Sequence, residues 1–241
     1  MNNFVRSALL LGEENIQSLK TKCIMIFGCG GVGSYVIEGL VRTGIGNFIL
    51  IDNDIVSPTN INRQIIADET TIGRKKTEVS KERILKINSS CSVSTYDLFI
   101  LPESISNIDF TRVDYVVDCI DTISGKLAII EAAKAHNIPI ISCMGTGNKL
   151  DPLQFKITDI SKTNTCPLAK VMRYELKKRN IKNVKVLYSQ EQPIDLSNNP
   201  LQHKILEQEN SNKHQIPGSI AFVPSVAGLL ISREIIIDLL K

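Results

Sequence analysis

A six-residue segment, Gly28-Cys29-Gly30-Gly31-Val32-Gly33, constrains the fold of this chain more than any other feature. It follows the apolar run Cys23–Phe27 and opens a helix-like stretch at 33–42, so G-x-G-x-x-G joins a predicted strand to a predicted helix. Glycines let the backbone approach a phosphate, and a helix N-terminus supplies free N–H groups. Asp52 ends the next predicted strand, where an acid can hydrogen-bond a ribose. These residues predict a nucleotide site, with NAD and ATP both open.

The rest of the first half alternates strand and helix signals. Apolar or β-branched runs predict strands, and helical spacing of apolar residues predicts helices between them. Continuous apolar strands between helices are typical of a parallel sheet covered on both faces. Residues 1–150 therefore predict a Rossmann-like, doubly wound α/β nucleotide-binding half. Its predicted strands are 48–51, 92–100, 115–118 and 139–142, and its predicted helices are 75–88 and 126–135.

The second half, 151–241, departs from this alternation of strand and helix signals but continues the same domain. Alternating segments at 153–158 and 184–189 predict antiparallel strands that extend the mostly parallel sheet, with a helix at 167–179 between them. The polar stretch 195–218 is too long for an ordinary connection and predicts a flexible lid or binding loop. An apolar helix at 226–240 closes the chain. We expect this half to form the substrate, lid and dimer surfaces of one domain, 1–241.

Composition excludes several classes of protein. Hydrophobic residues make up 43% and charged residues 22%, as in globular proteins, which excludes a disordered chain. The net charge of +3 permits an anionic partner without demanding one. Aromatic residues are only 5%, so a reader of single strands by stacking is not expected. Six cysteines without a C-x-x-C pair, and three histidines without ligand spacing, give no expectation of zinc.

Localisation follows from what the sequence lacks. The N-terminus has no basic region and no cleavage-site pattern, and no apolar stretch reaches the ~18–20 residues of a membrane span. We therefore expect a cytoplasmic protein with reduced thiols.

Polar residues after Asp52 favour ATP over NAD. A dinucleotide oxidoreductase has no need of clustered amide and cationic side chains there, whereas a triphosphate does, because fixed cations offset the charge on leaving pyrophosphate. Asp121, with Thr122 beside it, follows a later strand and would lie at the carboxyl edge, where a carboxylate can hold Mg²⁺. The clustered residues after Asp52 are Asp54, Asn60, Arg63, Gln64 and Lys76.

Five of these segments together resemble the ubiquitin-activating-enzyme-like adenylyltransferase superfamily, which includes the ThiF proteins. A further set of segments, most of its residues in the second half, resembles one branch of this superfamily, the tRNA threonylcarbamoyladenosine dehydratases. The superfamily segments are GCGGVG at 28–33, LIDNDIV at 50–56, TNINRQ at 59–64, GRKKTEV at 73–79 and VDCIDT at 117–122. The branch segments are FVRSALLLG at 4–12, VRTGIG at 41–46, SCMGTGNKLDPLQFKITDISKT at 142–163, PLAKVMR at 167–173 and AFVPSVAG at 221–228.

The resemblance implies roles for these residues. The glycines would approach the phosphates, Asp52 would hold the ribose, and Asn60, Arg63 and Lys76 would grip the triphosphate of ATP. Asp121 would assist Mg²⁺ at the α-phosphate. Arg6 resembles an arginine that reaches the γ-phosphate in the partner subunit, which implies a homodimer. The implied reaction adenylates the threonyl carboxylate of the modified adenosine in tRNA and then closes a ring with release of AMP.

Two alternatives share the fold. One is an adenylyltransferase that activates a sulfur-carrier protein; its relatives typically have two C-x-x-C zinc pairs, which this sequence lacks. The other is a catalytically silent scaffold that docks a sulfur-transfer partner such as a cysteine desulfurase, against which Arg63, Lys76 and Asp121 argue. Cys166 stands where the dehydratase pattern usually has Asp, at a predicted helix N-terminus, where a thiol can become reactive. A small replacement for a capping residue explains it more simply.

A basic segment could contact the tRNA backbone or form an ordinary solvated face. The resemblance favours the first interpretation. Its residues are Lys170, Arg173, Lys177, Lys178, Arg179, Lys182 and Lys185, with His203, Lys204, Lys213 and His214 in the 195–218 stretch.

Overall fold

The computed structural model describes residues 3–208 and 216–241. Its helices are α1 (Val5–Leu11), α2 (Glu13–Thr21), α3 (Gly33–Thr43), α4 (Lys76–Ile87), α5 (Ile123–Ala135), α6 (Pro167–Lys178), α7 (Leu201–Gln208) and α8 (Phe222–Leu239). Its strands are β1 (Cys23–Phe27), β2 (Asn47–Ile51), β3 (Ser92–Tyr96), β4 (Tyr115–Asp118), β5 (Ile140–Cys143), β6 (Phe155–Asp159) and β7 (Lys185–Ser189).

The strands form one sheet in the order β3-β2-β1-β4-β5-β7-β6. All neighbours are parallel except β6 and β7, which pair antiparallel. The predicted fold class, a doubly wound sheet extended by antiparallel pairing in the second half, is confirmed. The order reverses at β1, which lies between β2 and β4, and ligands of open α/β sheets bind beyond the carboxyl ends of strands at such a point.

Apolar residues on β1 alternate between two cores because successive side chains on a strand point to opposite faces of the sheet. Ile24 and Ile26 pack into one core together with residues of α3 and α8. Met25 and Phe27 pack into the other together with residues of α5 and α6. Both faces of the sheet are therefore covered, which is why β1 is buried from end to end apart from its first residue.

α8 packs against α3 at a distance that only small residues allow. A Cβ atom on Gly39 would lie 2.2 Å from the Ser232 Oγ, and one on Gly228 would lie 2.5 Å from the Val32 carbonyl oxygen. The same packing brings Pro224, in the first turn of α8, against the glycine turn. Although α8 is apolar, no helix in the described ranges is long and apolar enough to cross a bilayer.

The structure departs from the sequence-based expectations in several places, and the strand predicted at 92–100 ends at Tyr96. α1 and α2 precede the sheet, where no helices were predicted. α8 begins at Phe222 rather than 226, because proline is tolerated in the first turn of a helix, where its missing N–H has no intrahelical partner. The stretch 195–218, predicted as a loop throughout, contains the helix α7, while residues 209–215 lie outside the described residues.

Candidate active site

The turn between β1 and α3 requires glycine at its first and last positions. Gly28 has φ of +89°, and a Cβ there would lie 2.9 Å from the Cys119 carbonyl oxygen. A Cβ on Gly33 would lie 1.8 Å from the Gly28 carbonyl oxygen. These contacts close the turn tightly, so that the first free N–H groups of α3 face the carboxyl edge of the sheet.

Of the two middle glycines, Gly30 leaves room for a ligand, whereas Gly31 lies close to other elements. The nearest atom to a Cβ built on Gly30 is the Gln64 Nε2, 3.7 Å away. A Cβ on Gly31 would lie 3.2 Å from Pro224 and 3.7 Å from the Arg63 Cγ. The turn therefore meets the segment after β2 and the start of α8, and its backbone stays accessible to a phosphate.

Asp52 follows β2 and bonds to the glycine turn. Its carboxylate accepts hydrogen bonds from the Cys29 N–H at 2.6 Å and from the Asp54 N–H at 2.8 Å. Burial raises the pKa of Asp52, and the charge of Lys76 opposes that rise. A half-buried carboxylate with lone pairs left over beside a phosphate-binding turn suits a ribose hydroxyl, as the sequence predicted.

Lys76, the first residue of α4, is a buried cation at this edge. It is 6% exposed, and its ammonium lies 2.6 Å from the carboxylate of the exposed Asp54. The Lys76 N–H also donates to the Asp54 carbonyl oxygen at 3.0 Å. Asp54 thus holds the ammonium in place, within electrostatic range of Asp52.

A short 3-10 turn, Pro58–Asn60, carries the other predicted polar residues. Asn60 is buried, and its Oδ1 accepts from the Ser57 N–H at 3.1 Å, which fixes the turn. The Arg63 Nη1 donates to the Thr59 carbonyl oxygen at 2.7 Å and to the Asn62 Oδ1 at 2.9 Å. Arg63 is therefore positioned by its own loop, beside Gly31.

Gln64 provides a test of whether a ligand fits here. Its side chain is buried beside Gly30, and its Oε1 has no hydrogen-bond partner among the described residues. A buried acceptor without a donor is costly. A hydroxyl or amino group of a bound nucleotide would satisfy it, so the residues present fit ATP.

Asp121 is exposed and lies in the loop between β4 and α5, with Thr122 as the N-cap residue of α5. The loop begins beside the glycine turn, because a Cβ on Gly28 would lie 3.2 Å from the Ile120 Cγ2. No group of three or more His, Cys, Asp and Glu is placed to hold a metal within residues 3–208 and 216–241. Asp121 therefore fits a Mg²⁺ whose remaining ligands are phosphate oxygens and water, the usual coordination of this ion.

Sequence reasoning missed a buried charged group beneath this loop. Lys126 and Asp118 are both fully buried, and the ammonium lies 2.9 Å from the carboxylate. The ammonium also donates to the Cys143 carbonyl oxygen at 2.7 Å and to the Ser142 Oγ at 3.3 Å. The available signal was a lysine eight positions after an aspartate in the sequence. The alternation of strands and helices gave no reason to expect that this lysine is buried.

The structure does not bring Arg6 to the active site of its own chain. Arg6 is exposed on α1, and Phe4, close to it in sequence, lies near Gly44 at the C-terminal end of α3. The active site is at the N-terminal end of α3, and an eleven-residue helix is about 16 Å long.

The cysteines nearest the site are buried rather than reactive. Burial raises the pKa of Cys29 well above its usual range and that of Cys143 to about 12. Cys166, the N-cap residue of α6, is 1% exposed and its side chain makes no capping hydrogen bond. These observations favour packing roles for all three.

Several cations of the basic segment are engaged within the protein. Lys185 pairs with Glu234 and Asp238, and Arg179 pairs with Glu131 and Glu175. Arg173 donates to Thr163, and the Lys178 ammonium lies 4.3 Å from the centre of the Tyr174 ring. Five cations of this segment are exposed, namely Lys170, Lys177, Lys178, Arg179 and Lys182. Lys204 lies on α7, the side chain of His203 is not described, and Lys213 and His214 lie outside the described residues.

Comparison with known proteins agrees with this architecture. The model of the ThiF family matches residues 4–241. The chain belongs to the ThiF family. It is 40% identical over 243 residues to the tRNA threonylcarbamoyladenosine dehydratase of Bacillus subtilis, covering 100% of this chain and 96% of that protein.

Solved structures of other ThiF-like proteins superpose over nearly the whole chain. The Escherichia coli tRNA N6-threonylcarbamoyladenosine dehydratase in complex with ATP matches with a TM-score of 0.86 and 32% identity, covering 98% of this chain and 93% of that one. Escherichia coli MccB with ATP matches with a TM-score of 0.68 and 26% identity, covering 100% of this chain but 64% of that one. The likeness to the dehydratases includes the second half of this ThiF-family chain.

Proposed function

We propose that this chain is an ATP-dependent tRNA threonylcarbamoyladenosine dehydratase, which closes the threonylcarbamoyl group of the modified adenosine into a ring. The observation that carries this proposal is the 40% identity to the dehydratase of Bacillus subtilis along the entire chain. That likeness extends beyond the nucleotide-binding half into 151–241.

The reaction needs activation because a carboxylate is a poor electrophile. One oxygen of the threonyl carboxylate bonds to the α-phosphorus of ATP, and the bond from that phosphorus to the bridging oxygen breaks, releasing pyrophosphate. An internal nitrogen of the same group then attacks the acyl carbon, loses its proton and expels AMP. The attacking nitrogen is tethered to its target, so the effective molarity is high and no cysteine nucleophile is required.

The position of each residue in the site indicates its role in this reaction. The backbone of Gly28, Gly30, Gly31 and Gly33 approaches the phosphates, and Asp52 binds the ribose. Asn60 fixes the turn before Arg63, and the Gln64 Oε1 accepts a hydrogen bond from a hydroxyl or amino group of ATP. Arg63 and the Lys76 ammonium, which exchanges part of its contact with Asp54 for phosphate oxygens, stabilise the charge of the departing pyrophosphate.

Asp121, with Thr122 fixing the start of α5, would hold Mg²⁺ at the α-phosphate. The ion neutralises negative charge on the phosphate oxygens when it is bound. Arg6 lies far from the site of its own chain, and we propose that it completes the site of a partner subunit in a homodimer. A tRNA substrate places the enzyme in the cytoplasm, and Lys170, Lys177 and Lys182 are cations available to its backbone.

The test is mass spectrometry of nucleosides. tRNA that contains threonylcarbamoyladenosine is incubated with the protein and Mg-ATP and then digested under mild conditions. We expect the modified nucleoside to lose one water only when ATP is present, with AMP and pyrophosphate formed in equal amounts. An unchanged nucleoside would contradict the proposal.

The same incubation separates this function from the alternative on the same fold. A sulfur-carrier adenylyltransferase would leave the nucleoside unchanged and exchange pyrophosphate into ATP only with a small carrier protein. A cysteine desulfurase or another sulfur acceptor added to the reaction should leave the rate of dehydration unchanged, since no step transfers sulfur.

A further inference from the structure

A buried lysine beyond the carboxyl end of β5 has no part in the nucleotide contacts described above. Lys149 is 4% exposed and lies in the loop that follows β5. Within the described residues, its ammonium donates one hydrogen bond, to the Gly147 carbonyl oxygen at 3.3 Å. An ammonium has three donors. Two of them therefore have no protein partner in the part of the chain that the structure describes.

Among the described residues, no carboxylate forms an ion pair with the Lys149 ammonium. Glu191 is the carboxylate that acts on it, but its oxygens accept from the Leu150 N–H at 2.8 Å and the Asp151 N–H at 2.9 Å. Burial lowers the pKa of the Lys149 ammonium, and the opposing effects of Cys166 and Glu191 are weaker. A buried cation without a close counter-ion is costly, and an anion in contact with it removes that cost.

The loop that carries Lys149 is tied to the loop that carries Arg63. Asn148 exchanges two hydrogen bonds with Gly218, at 2.8 and 2.6 Å, and its carbonyl oxygen accepts from the Ile194 N–H at 2.8 Å. The next residue after Gly218, Ser219, accepts from the Asn62 Nδ2 at 2.9 Å. The segment 217–219 thus bridges the two loops and fixes the position of one relative to the other.

In the strand order, Lys149 lies on the opposite side of the β4–α5 loop from Arg63 and Lys76. Arg63 and Lys76 follow β2, whereas Lys149 follows β5, and the sheet order puts β1 and β4 between them. Asp121 follows β4, so in the strand order it lies between Lys149 on one side and Arg63 and Lys76 on the other. In a displacement at phosphorus, the attacking and leaving oxygens are roughly in line. If pyrophosphate leaves toward Arg63 and Lys76, the attacking carboxylate approaches from the β5 side.

We infer that Lys149 binds the threonyl carboxylate of the modified nucleoside and directs it at the α-phosphate from the side opposite Arg63 and Lys76. This inference rests on the proposed function. The ammonium keeps its proton throughout: the carboxylate oxygen forms the bond to phosphorus, and the electron pair of the broken bond leaves with pyrophosphate. A phosphate of ATP is the other anion that the ammonium could contact, and the experiment separates the two.

The test measures the preference of the protein for its modified substrate. Dissociation constants are determined without ATP for one tRNA with and without the threonylcarbamoyl group, using wild-type protein, Lys149→Met and Lys149→Arg. The exposed Lys156→Met is the matched control. A hydrogen bond to a charged group corresponds to a roughly tenfold to hundredfold change in affinity. We expect Lys149→Met to lose the preference for the modified tRNA and to bind the unmodified tRNA as wild type does.

Steady-state kinetics complete the test. We expect Lys149→Met to raise the KM for modified tRNA at least about tenfold with little change in the KM for ATP, and Lys149→Arg to restore part of the preference. A raised KM for ATP with an intact preference would assign the ammonium to a phosphate and overturn the inference. Equal losses of affinity for both tRNAs, together with a lower melting temperature, would show that Lys149 has a structural role. That result would also overturn the inference.

The two proposals fail in different ways. Wild-type protein that leaves the nucleoside unchanged overturns the proposed function and this inference together. Wild-type protein that dehydrates it, beside a Lys149→Met variant that retains the preference, overturns the inference alone.

Discussion

The Lys126 ammonium and the Asp118 carboxylate lie 2.9 Å apart, and both side chains are completely buried directly beneath the loop that carries Asp121. The Asp118 carboxylate also accepts from the Ser142 hydroxyl, and its other oxygen accepts from the Ile120 N–H at 3.3 Å. One ion pair thus joins β4, β5, α5 and the loop before α5. The position of Asp121 at the carboxyl edge depends on this contact.

Removing one member of the pair should destabilise the protein strongly. Lys126→Met leaves an uncompensated buried carboxylate, which typically costs about 3–5 kcal/mol. We expect that loss in the free energy of unfolding, measured by urea denaturation. The double variant with Asp118→Asn removes both charges and should recover a large part of it. A single variant within about 1 kcal/mol of wild type would contradict the view that this pair carries full charge.

Arg63→Ala should abolish dehydration while leaving the fold intact. In the proposed reaction Arg63 stabilises charge on the departing pyrophosphate, and loss of one such group typically lowers kcat about a hundredfold to a thousandfold. Arg74→Ala is the control, because Arg74 pairs with Glu82 at the exposed surface nearby. The rate of AMP formation and the circular dichroism spectrum are measured for both. An Arg63→Ala protein that keeps wild-type turnover would remove Arg63 from the triphosphate clamp.

Two glycine substitutions in the same turn should have different effects. Gly33→Ala places a Cβ 1.8 Å from the Gly28 carbonyl oxygen, so the turn has to open and the melting temperature should fall by several degrees. Gly30→Ala meets nothing closer than 3.7 Å, so the fold should persist while ATP affinity falls, because the methyl group occupies the approach of a phosphate. Calorimetry of unfolding and of ATP binding measures both. Unchanged ATP affinity in Gly30→Ala would place the phosphates elsewhere.

Glu38 should make stability depend on pH below neutrality. Burial alone would raise the pKa of Glu38, but hydrogen bonds from Arg83 and Arg42 outweigh it, and the net pKa is lowered from its ordinary 4.5. A lowered folded-state pKa contributes stability that is present above about pH 4.5 and is lost as the pH falls through the folded-state value. The difference in unfolding free energy between wild type and Glu38→Gln should therefore be largest near neutral pH and shrink toward pH 3. If the difference in unfolding free energy is constant across this range, the ion pairs of Glu38 with Arg83 and Arg42 are not the source of that stability.

The nucleotide half of the site could be predicted from sequence because its signals are local. The glycine spacing requires a strand, a turn and a helix in succession, and Asp52, Arg63 and Lys76 follow within a short stretch of chain. Alternation also predicted two antiparallel strands in the second half, where β6 pairs antiparallel with β7 while β7 is parallel to β5. Each of these inferences depends on neighbours in the chain, where pattern and geometry coincide.

The burial of Lys126 and Lys149 could not be predicted, because their surroundings come from distant segments. Lys126 contacts Asp118, Ser142 and Cys143, which come together only when β4 pairs with β5. Lys149 lies in a loop whose Asn148 is hydrogen-bonded to Gly218, 70 residues farther along the chain. A lysine in a helix or a polar loop ordinarily indicates an exposed position, and only the tertiary contacts reverse that expectation.

The cysteine thiols should resist alkylation in the folded protein. A thiolate is the reactive form, and burial raises the pKa of Cys143 to about 12 and that of the half-buried Cys23 to about 11. Iodoacetamide at pH 8 should therefore modify native protein slowly and urea-unfolded protein completely, as read by mass spectrometry. Cys166→Ala should keep the wild-type rate of dehydration, because Cys166 is 1% exposed and no step of the proposed reaction needs a thiol. Rapid native-state modification of Cys166, together with loss of turnover in Cys166→Ala, would instead give this cysteine a part in the chemistry.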